Sequence, residues 1–221
     1  MSSPQFKDVK AVDTHILRLD ITQQESQDLY RQWAHQGTYD VQAKDPSAWQ
    51  GPVQLQAAVT EFITDRGALF LDVGAGTGLT GQAMKDLGFH NLHALEPLQE
   101  FVETAREKGV YANILQEFIG GDKPTSAPDD TYDVIITAGA FGPGHIPTSA
   151  VPEMVRIVKP GGHIIISMRE EWLWLVPEYK DRLEPCMQRL EQDGKWTLLK
   201  KKTYQNHYAN KDGILFVYRV S

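Results

Sequence analysis

Apolar residues along the chain fall into two patterns that alternate with each other. Short continuous runs have the length of buried strands, and longer runs repeat every three or four residues as amphipathic helices do. The run Pro160-Gly161-Gly162 is expected to separate the last of these helices from the strand that follows it. The patterns predict strands at 68–73, 92–95, 112–115, 132–137, 163–168, 196–204 and 214–220, and helices at 55–64, 79–87, 99–108 and 149–158.

Strands and helices therefore follow one another through most of the chain, and the strands lack a polar face. Such strands form parallel sheets that helices cover on both sides. The last two strands have no helix between them, which predicts an antiparallel pair at one edge of the sheet. The expected fold is α/β, with a Rossmann-like, doubly wound, seven-stranded sheet that is mostly parallel, an antiparallel C-terminal strand and an N-terminal helical lid.

Composition indicates one domain. The chain has 221 residues, of which 41% are hydrophobic, enough to bury one good core, and no spacer marks a second domain. We expect a single domain over residues 1–221, with 1–55 as the lid segment and 56–221 as the cofactor-binding core.

Charge and cysteine content limit the classes of binding partner and the cellular compartment that are expected. A net charge of −7 disfavours nucleic acid, because affinity for phosphates depends on clustered Lys and Arg. The basic cluster Lys200-Lys201-Lys202 is interpreted as a solvated strand edge. The single cysteine, Cys186, cannot form an internal disulfide, and neither a secretory signal nor a membrane-length apolar run is found. We expect a cytoplasmic protein without nucleic-acid or membrane partners, a monomer or weak homodimer.

The stretch LFLDVGAGTGLTG, at residues 69–81, can be spaced in two ways. Counting from Gly76 gives the G-x-G-x-x-G of dinucleotide-binding proteins, whereas counting from Asp72 gives an acid followed by glycines at alternate positions. Either count places a cofactor at the carboxyl ends of the strands. A carboxylate would repel a pyrophosphate but suits the sulfonium and ammonium of S-adenosylmethionine, which has no phosphate. The count from Asp72 is favoured, and with it S-adenosylmethionine.

A second acid, Glu96, lies at the end of the next strand. A carboxylate at this position accepts hydrogen bonds from both ribose hydroxyls of a bound nucleoside, which fits either cofactor. The alternative is a structural role as N-cap of the helix that begins near Gln99. The ribose role is favoured.

Four motifs together resemble those of the class I S-adenosylmethionine-dependent methyltransferases. They are D-V-G-A-G-T-G, L-E-P-L-Q-E-F-V-E-T-A, Y-D-V-I-I-T-A-G-A-F and V-K-P-G-G before a strand, and they cover residues 69–168. The run G-A-F-G-P-G-H-I-P-T-S-A-V-P-E-M is similar to a narrower branch, that of the methyltransferase-like protein from the Williams-Beuren syndrome region. The resemblance implies a methyltransferase, and the narrower similarity implies no particular reaction.

The same resemblance implies which residues hold the cofactor. The glycine turn would pass beneath the methionyl part, with Asp72 near its ammonium, and Glu96 would hold the ribose. Either Gln116 or Glu117 would meet the adenine amino group. The aromatic residues Trp33 and Tyr39 are either a lid over the methionyl end or core residues of an N-terminal helix. The implied cofactor-binding set is Trp33, Tyr39, Asp72, Gly74, Ala75, Gly76, Thr77, Gly78, Glu96, Pro97, Leu98, Gln116, Glu117, Phe118 and Ala138.

Methyl transfer from a sulfonium needs no protein nucleophile, so the protein positions the reactants and balances charge. A general base helps where the accepting atom loses a proton, and His145 is the candidate; the alternative is a loop histidine that caps backbone groups. Phe141, Arg169 and Trp172 are the candidates for binding the acceptor. No metal is expected, because the remaining histidines lack acids or cysteines at ligand spacing.

The absence of certain motifs limits the classes of methyl acceptor that are expected. No Asp/Asn-Pro-Pro-aromatic run follows the strand at 132–137, which disfavours amino-methylation of nucleic-acid bases and glutamine, and no acidic cluster supports metal-dependent catechol methylation. We expect a small-molecule acceptor. The alternatives are a protein-directed methyltransferase, a non-catalytic S-adenosylmethionine-binding module and, less favoured, a nicotinamide-dependent oxidoreductase.

Overall fold

The computed structural model describes residues 4–6, 8–43 and 49–221. The strands are β1 (Phe70–Val73), β2 (Leu92–Leu95), β3 (Asn113–Leu115), β4 (Tyr132–Ala138), β5 (Val158–Arg169), β6 (Trp196–Tyr208) and β7 (Lys211–Val220). The helices are α1 (Val9–His15), α2 (Gln23–His35), α3 (Tyr39–Ala43), α4 (Gly51–Phe62), α5 (Leu79–Asp86), α6 (Gln99–Lys108), α7 (Ala150–Ile157), α8 (Trp172–Leu175) and α9 (Leu183–Gln192).

The seven strands form one sheet in the order β3-β2-β1-β4-β5-β7-β6. Strands β1 to β5 pair in parallel, and β7 is antiparallel to both of its neighbours. The predicted fold class is therefore confirmed. The last strand of the chain lies inside the sheet and β6 forms the edge, where Lys200 and Lys201 pair with Glu61 and Glu184.

Apolar side chains alternate between the two faces of the sheet, as the twofold repeat of a strand requires. Ile164 and Ile166 belong to the cluster on the face that α7 and α9 cover, and Ile165 belongs to the cluster under α4 and α5. Since both faces are buried, the strands read as continuous apolar runs in the sequence.

Most element boundaries differ by one or more residues from the predicted ones, and two of the larger differences have a clear physical cause. Helix α4 begins at Gly51, four residues before the predicted start, because Pro52 is tolerated in the first helical turn. The run Pro160-Gly161-Gly162 does not separate α7 from β5 but lies within the strand. Tyr132 pairs with Val158 and Val134 with His163, so the extra residues on β5 form a bulge.

The N-terminal helices are held by local caps and by contacts with the core. The Thr22 side chain and Glu25 form a reciprocal capping box at the start of α2. Trp49 forms an isolated antiparallel bridge with Tyr208, which attaches this part of the chain to the end of β6. Among the described residues, no helix is long and apolar enough to cross a membrane.

Candidate functional site

A crevice opens at the carboxyl ends of β1, β2, β4 and β5, and residues of α1, α2 and α3 cover it. This is the edge at which doubly wound sheets bind ligands. The predicted site residues that line it are Trp33, Tyr39, Gly74, Gly76, Glu96, Pro97, Leu98, Phe118, Ala138, Phe141, His145, Arg169 and Trp172. The predicted residues outside this lining are Asp72, Ala75, Thr77, Gly78, Gln116 and Glu117.

The glycine turn after β1 supports the count from Asp72. Gly74 and Gly76 line the crevice with φ values of 71° and 55°, in the left-handed region that disfavours other residues. Gly78 is the N-cap of α5 and Gly81 lies within that helix, and neither lines the crevice. Gly74, which belongs only to the count from Asp72, therefore faces the crevice, whereas Gly81, which belongs only to the dinucleotide count, does not.

Glu96 is buried at the carboxyl end of β2, and its carboxylate ties two backbone segments together. Oε2 accepts from the Gly76 N–H at 2.9 Å, and Oε1 accepts from the Leu98 N–H at 3.0 Å. Burial raises the pKa of this carboxyl to about 7 despite the two donors. Leu98 is itself the N-cap of α6, so Glu96 does not bond the first turn of that helix. The N-cap alternative is therefore not the role seen here.

Asp72 is also buried, but its contacts lie away from the crevice. Its carboxylate accepts from the Tyr111 hydroxyl at 2.6 Å and from the Gly81 backbone N–H, and burial raises its pKa to about 7. A Cβ on Gly81 would lie 2.4 Å from the Tyr111 ring. Asp72 thus joins β1, α5 and the start of β3, and the structure gives it no direct contact with the space that a cofactor would fill.

Only some of the residues that were predicted to border the adenine line the crevice. Pro97, Leu98 and Phe118 line the crevice. Gln116 is exposed, and Glu117 accepts from the Ser126 N–H at 2.8 Å and from its hydroxyl. Neither candidate for the adenine amino group therefore faces the crevice.

The remaining two residues of the glycine turn also have structural contacts. Ala75 is buried and its N–H donates to the Leu95 carbonyl at 3.3 Å. The Thr77 hydroxyl donates to Asp40 on α3. These contacts fix the turn against β2 and against the N-terminal helices.

Aromatic side chains from α2 and α3 lie over the crevice. Trp33 packs on Tyr39 with ring centroids 4.8 Å apart, and Tyr39 packs on Phe101 of α6 at 4.7 Å. Trp33 also belongs to a small buried cluster with Phe6. The same rings pack in an N-terminal core and line the crevice, so the structure supports the core interpretation, and the lid over the methionyl end stays a prediction.

His145 is partly buried in the loop after β4, and its two ring nitrogens have different partners. Nδ1 lies 2.6 Å from the Pro143 carbonyl oxygen, which can only accept, so Nδ1 carries the proton. Burial lowers the pKa of the imidazole, which keeps it neutral and leaves Nε2 as an acceptor. The Tyr30 hydroxyl lies 2.9 Å from Nε2 and donates to it. Tyr30 lines the crevice and is a residue that sequence reasoning missed.

Arg169, the last residue of β5, carries the only positive side chain among the described residues that line the crevice, where His145 and His207 are neutral. Its guanidinium stacks on Trp172 at 4.8 Å and lies 5.6 Å from the Tyr208 ring. Trp49 and Tyr208 complete this end of the crevice and were not predicted as site residues. No local motif marks them, because the structure brings them in from the segment before α4 and from the end of β6.

A metal site would need several His, Cys, Asp or Glu side chains close together. In the part of the chain that the structure describes, no three such side chains come together.

Comparisons with known proteins point to one family. Residues 71–166 match a family model described as a methyltransferase domain. Methyltransferase-like protein 27 of Homo sapiens is 35% identical over 129 residues, which are 58% of this chain and 51% of that protein. The chain spans about half the length of the curated relatives that it matches.

Two solved structures share the fold at low sequence identity. The [4+2]-cyclase SpnF has a TM-score of 0.65 at 14% identity, and the match covers 92% of this chain and 98% of that one. A 1,6-didemethyltoxoflavin-N1-methyltransferase of Burkholderia thailandensis, solved with 1,6-didemethyltoxoflavin and S-adenosylhomocysteine, has a TM-score of 0.59 at 15% identity and covers 88% and 87% of the two chains.

Proposed function

We propose that this chain is a class I S-adenosylmethionine-dependent methyltransferase that binds the cofactor in the crevice and transfers its methyl group to a small-molecule acceptor. One observation carries the proposal. The buried carboxylate of Glu96 and the two left-handed glycines, Gly74 and Gly76, line a single crevice that continues into an aromatic pocket. The first part suits a nucleoside with a methionyl chain, and the second suits an acceptor.

The residues present fit the cofactor. Glu96 holds an oxygen pair at the end of β2 for the ribose hydroxyls, and Pro97, Leu98 and Phe118 give the adenine an apolar border. No side chain projects from Gly74 and Gly76, so the methionyl chain can pass close to the backbone there. When bound, S-adenosylmethionine supplies a methyl group on a positively charged sulfur to a nucleophile placed in line with the carbon–sulfur bond.

A small acceptor is favoured over a protein because of the cover on the pocket. Val12 of α1 and Ser26, Tyr30 and Trp33 of α2 line the crevice from above the sheet. A protein side chain would have to enter beneath these helices, whereas a small molecule needs only a brief opening. The Burkholderia neighbour is a 1,6-didemethyltoxoflavin-N1-methyltransferase, and the cyclase neighbour shows why fold alone does not decide the reaction.

The proposed function predicts that S-adenosylhomocysteine binds and stabilises the chain. At a concentration 100 times Kd, a ligand of the native state adds about 2.7 kcal/mol, which for a chain of this size raises the melting temperature by roughly 5–10 °C. Thermal shift and calorimetry measure the binding, with a reduced nicotinamide dinucleotide as control ligand. A screen of small metabolites, read by mass detection of S-adenosylhomocysteine formed from S-adenosylmethionine, then identifies the acceptor. A shift with the dinucleotide alone would contradict the proposal.

His145 is the proposed general base, acting through Tyr30. The Pro143 carbonyl holds the imidazole in the form with a bare Nε2, and the Tyr30 hydroxyl bridges Nε2 and the crevice. Burial raises the pKa of Tyr30, so its hydroxyl does not ionise alone. It passes its proton to Nε2 while taking one from the accepting atom of the substrate. Tyr30 thus positions and relays the proton, and Nε2 of His145 accepts it.

Tyr30→Phe and His145→Gln are each expected to lower kcat by about 10²- to 10⁴-fold, the usual value of a general base, and to leave the Kd of S-adenosylhomocysteine within a few-fold. In the native chain kcat should fall as pH drops below the lowered pKa of His145, because the protonated imidazole cannot accept. Stopped-time assays with an acceptor from the screen measure both effects. His90→Gln, at an exposed position, is the matched control. Unchanged kcat in both variants would leave His145 with only its loop-capping role.

A further inference from the structure

The acceptor end of the crevice is built around one buried cation. Arg169 is only 2% exposed, and its Nη2 bonds the Asp13 carboxylate on α1 at 2.7 Å while its Nη1 bonds Glu171 at 3.2 Å. A guanidinium has five N–H donors, so donors remain beyond these two bonds. The planar fork of an Arg side chain matches the two oxygens of a carboxylate.

The two acids on Arg169 are not equivalent. Glu171 is also paired with Lys211 at 3.1 Å, and its side chain is 18% exposed. The Asp13 side chain is 41% exposed and comes from a helix of the cover rather than from the sheet. With Asp13 in place the four ion-paired groups are neutral as a set. Without Asp13 one positive charge remains, and it faces the crevice.

Tyr208 adds a second, independent sign of a missing ligand. Its hydroxyl is buried and has no hydrogen-bond partner among the described residues, although native structures rarely leave such a group unpaired. Burial raises the pKa of this hydroxyl to about 12, so it keeps its proton and can donate. The ring lies against Arg169 and lines the same end of the crevice, beside Trp49 and Trp172.

We infer that the acceptor is a small carboxylic acid, whose carboxylate takes the place of Asp13 on Arg169 and accepts a hydrogen bond from the Tyr208 hydroxyl. Its body is flat and apolar, because Trp49 and Trp172 line the space next to the anion site. In the structure Asp13 occupies the carboxylate position on Arg169. Binding of the acceptor therefore exchanges one carboxylate for another and releases α1 from Arg169. The inference rests on the proposed function, since it names the class of acceptor.

The test compares benzoate with benzamide, which has the same shape without the charge, on the full chain saturated with S-adenosylhomocysteine. Dissociation constants come from ligand-observed NMR titration. Benzoate is expected to bind at least about tenfold more tightly than benzamide, as a charge-assisted pair does relative to a neutral one. Tyr208→Phe should weaken benzoate several-fold and leave benzamide unchanged. Equal affinities for the two probes would overturn the inference.

Asp13→Asn is the most decisive variant, because removal of this charged side chain is expected to strengthen benzoate binding rather than weaken it. Removing this acid should tighten benzoate about three- to tenfold, because Arg169 no longer has to leave an ionised partner. Asp20→Asn is the matched control, since Asp20 is exposed and pairs with Arg18 instead. Weaker benzoate binding in Asp13→Asn would show that Asp13 positions Arg169 rather than competing at it, and would overturn the exchange.

Failure of the carboxylate inference can be distinguished from failure of the proposed function. Binding of S-adenosylhomocysteine without preference for benzoate overturns the inference alone. Failure of S-adenosylhomocysteine to bind overturns the proposed function, and the benzoate titration repeated without it still tests the anion site. Melting curves of each variant confirm that it folds.

Discussion

Glu96→Gln is expected to weaken S-adenosylhomocysteine binding by roughly 10- to 100-fold at pH 8. An amide offers one acceptor oxygen where the carboxylate offers two, and a charge-assisted hydrogen bond is worth about 1.5–3 kcal/mol, with 1.4 kcal/mol per factor of ten. The amide nitrogen also faces one of the two N–H donors that the carboxylate now accepts from Gly76 and Leu98. Equilibrium dialysis at fixed ionic strength measures the change.

The same variant should lose a pH dependence that the native chain shows. Burial raises the pKa of Glu96 to about 7, and the ionised form is the one that accepts from both ribose hydroxyls. Affinity is therefore full above pH 7 and falls as the pH drops, since only about a tenth of the carboxyl is ionised one pH unit below the pKa. Glu103→Gln on the exposed face of α6 is the matched control. A native affinity that is flat from pH 6 to pH 8 would contradict the ribose role.

Gly81→Ala is expected to lower the melting temperature by roughly 3–10 °C. The new Cβ would lie 2.4 Å from the Tyr111 ring, and overpacking of a buried site costs about 1–3 kcal/mol, or 2–4 °C per kcal/mol for a chain of this size. The displaced ring would also withdraw its hydroxyl from the buried Asp72 carboxylate. Thermal unfolding followed by circular dichroism gives the shift.

This prediction opposes the one that local sequence makes. Alanine in place of glycine inside a helix gains up to about 1 kcal/mol when nothing obstructs it. Gly121→Ala is the matched control, because a Cβ there meets no atom within 4 Å and should leave the melting temperature within about one degree. If Gly81→Ala melts at or above the native temperature, the contact with Tyr111 does not constrain α5.

Local patterns predicted those parts of the fold that depend on local signals. The observed bounds of β2 and α6 are the predicted ones, because a continuous apolar run and a periodic run mark them directly. The glycine turn and Glu96 could be placed for a similar reason, since both follow a strand whose carboxyl end must face the ligand edge. The bulge in β5 was missed because proline and glycine within a strand look like a stop.

The parts that could not be predicted depend on contacts between distant residues. Tyr30 and His145 are 115 positions apart, and Asp13 and Arg169 are 156 apart, so no spacing rule connects them. The sequence also did not indicate on which side of β1 the Asp72 side chain lies. Both faces of β1 are buried, and alternation then gives no sign of which side chain turns to the crevice.

The position of β7 has a consequence for how the chain is made. Ribosomal synthesis delivers residues in order, yet the last strand lies between β5 and β6, and β5 ends at the crevice with Arg169. Until residues 211–220 have emerged, β5 has an open edge of unpaired backbone groups and β6 has no partner in the sheet. Until then the parallel strands β1 to β5 end in an unpaired edge, and such edges favour pairing with other chains. Tyr208 reaches the crevice from β6, which pairs with β7 in the sheet, so the acceptor end of the crevice forms only once residues 211–220 are in place.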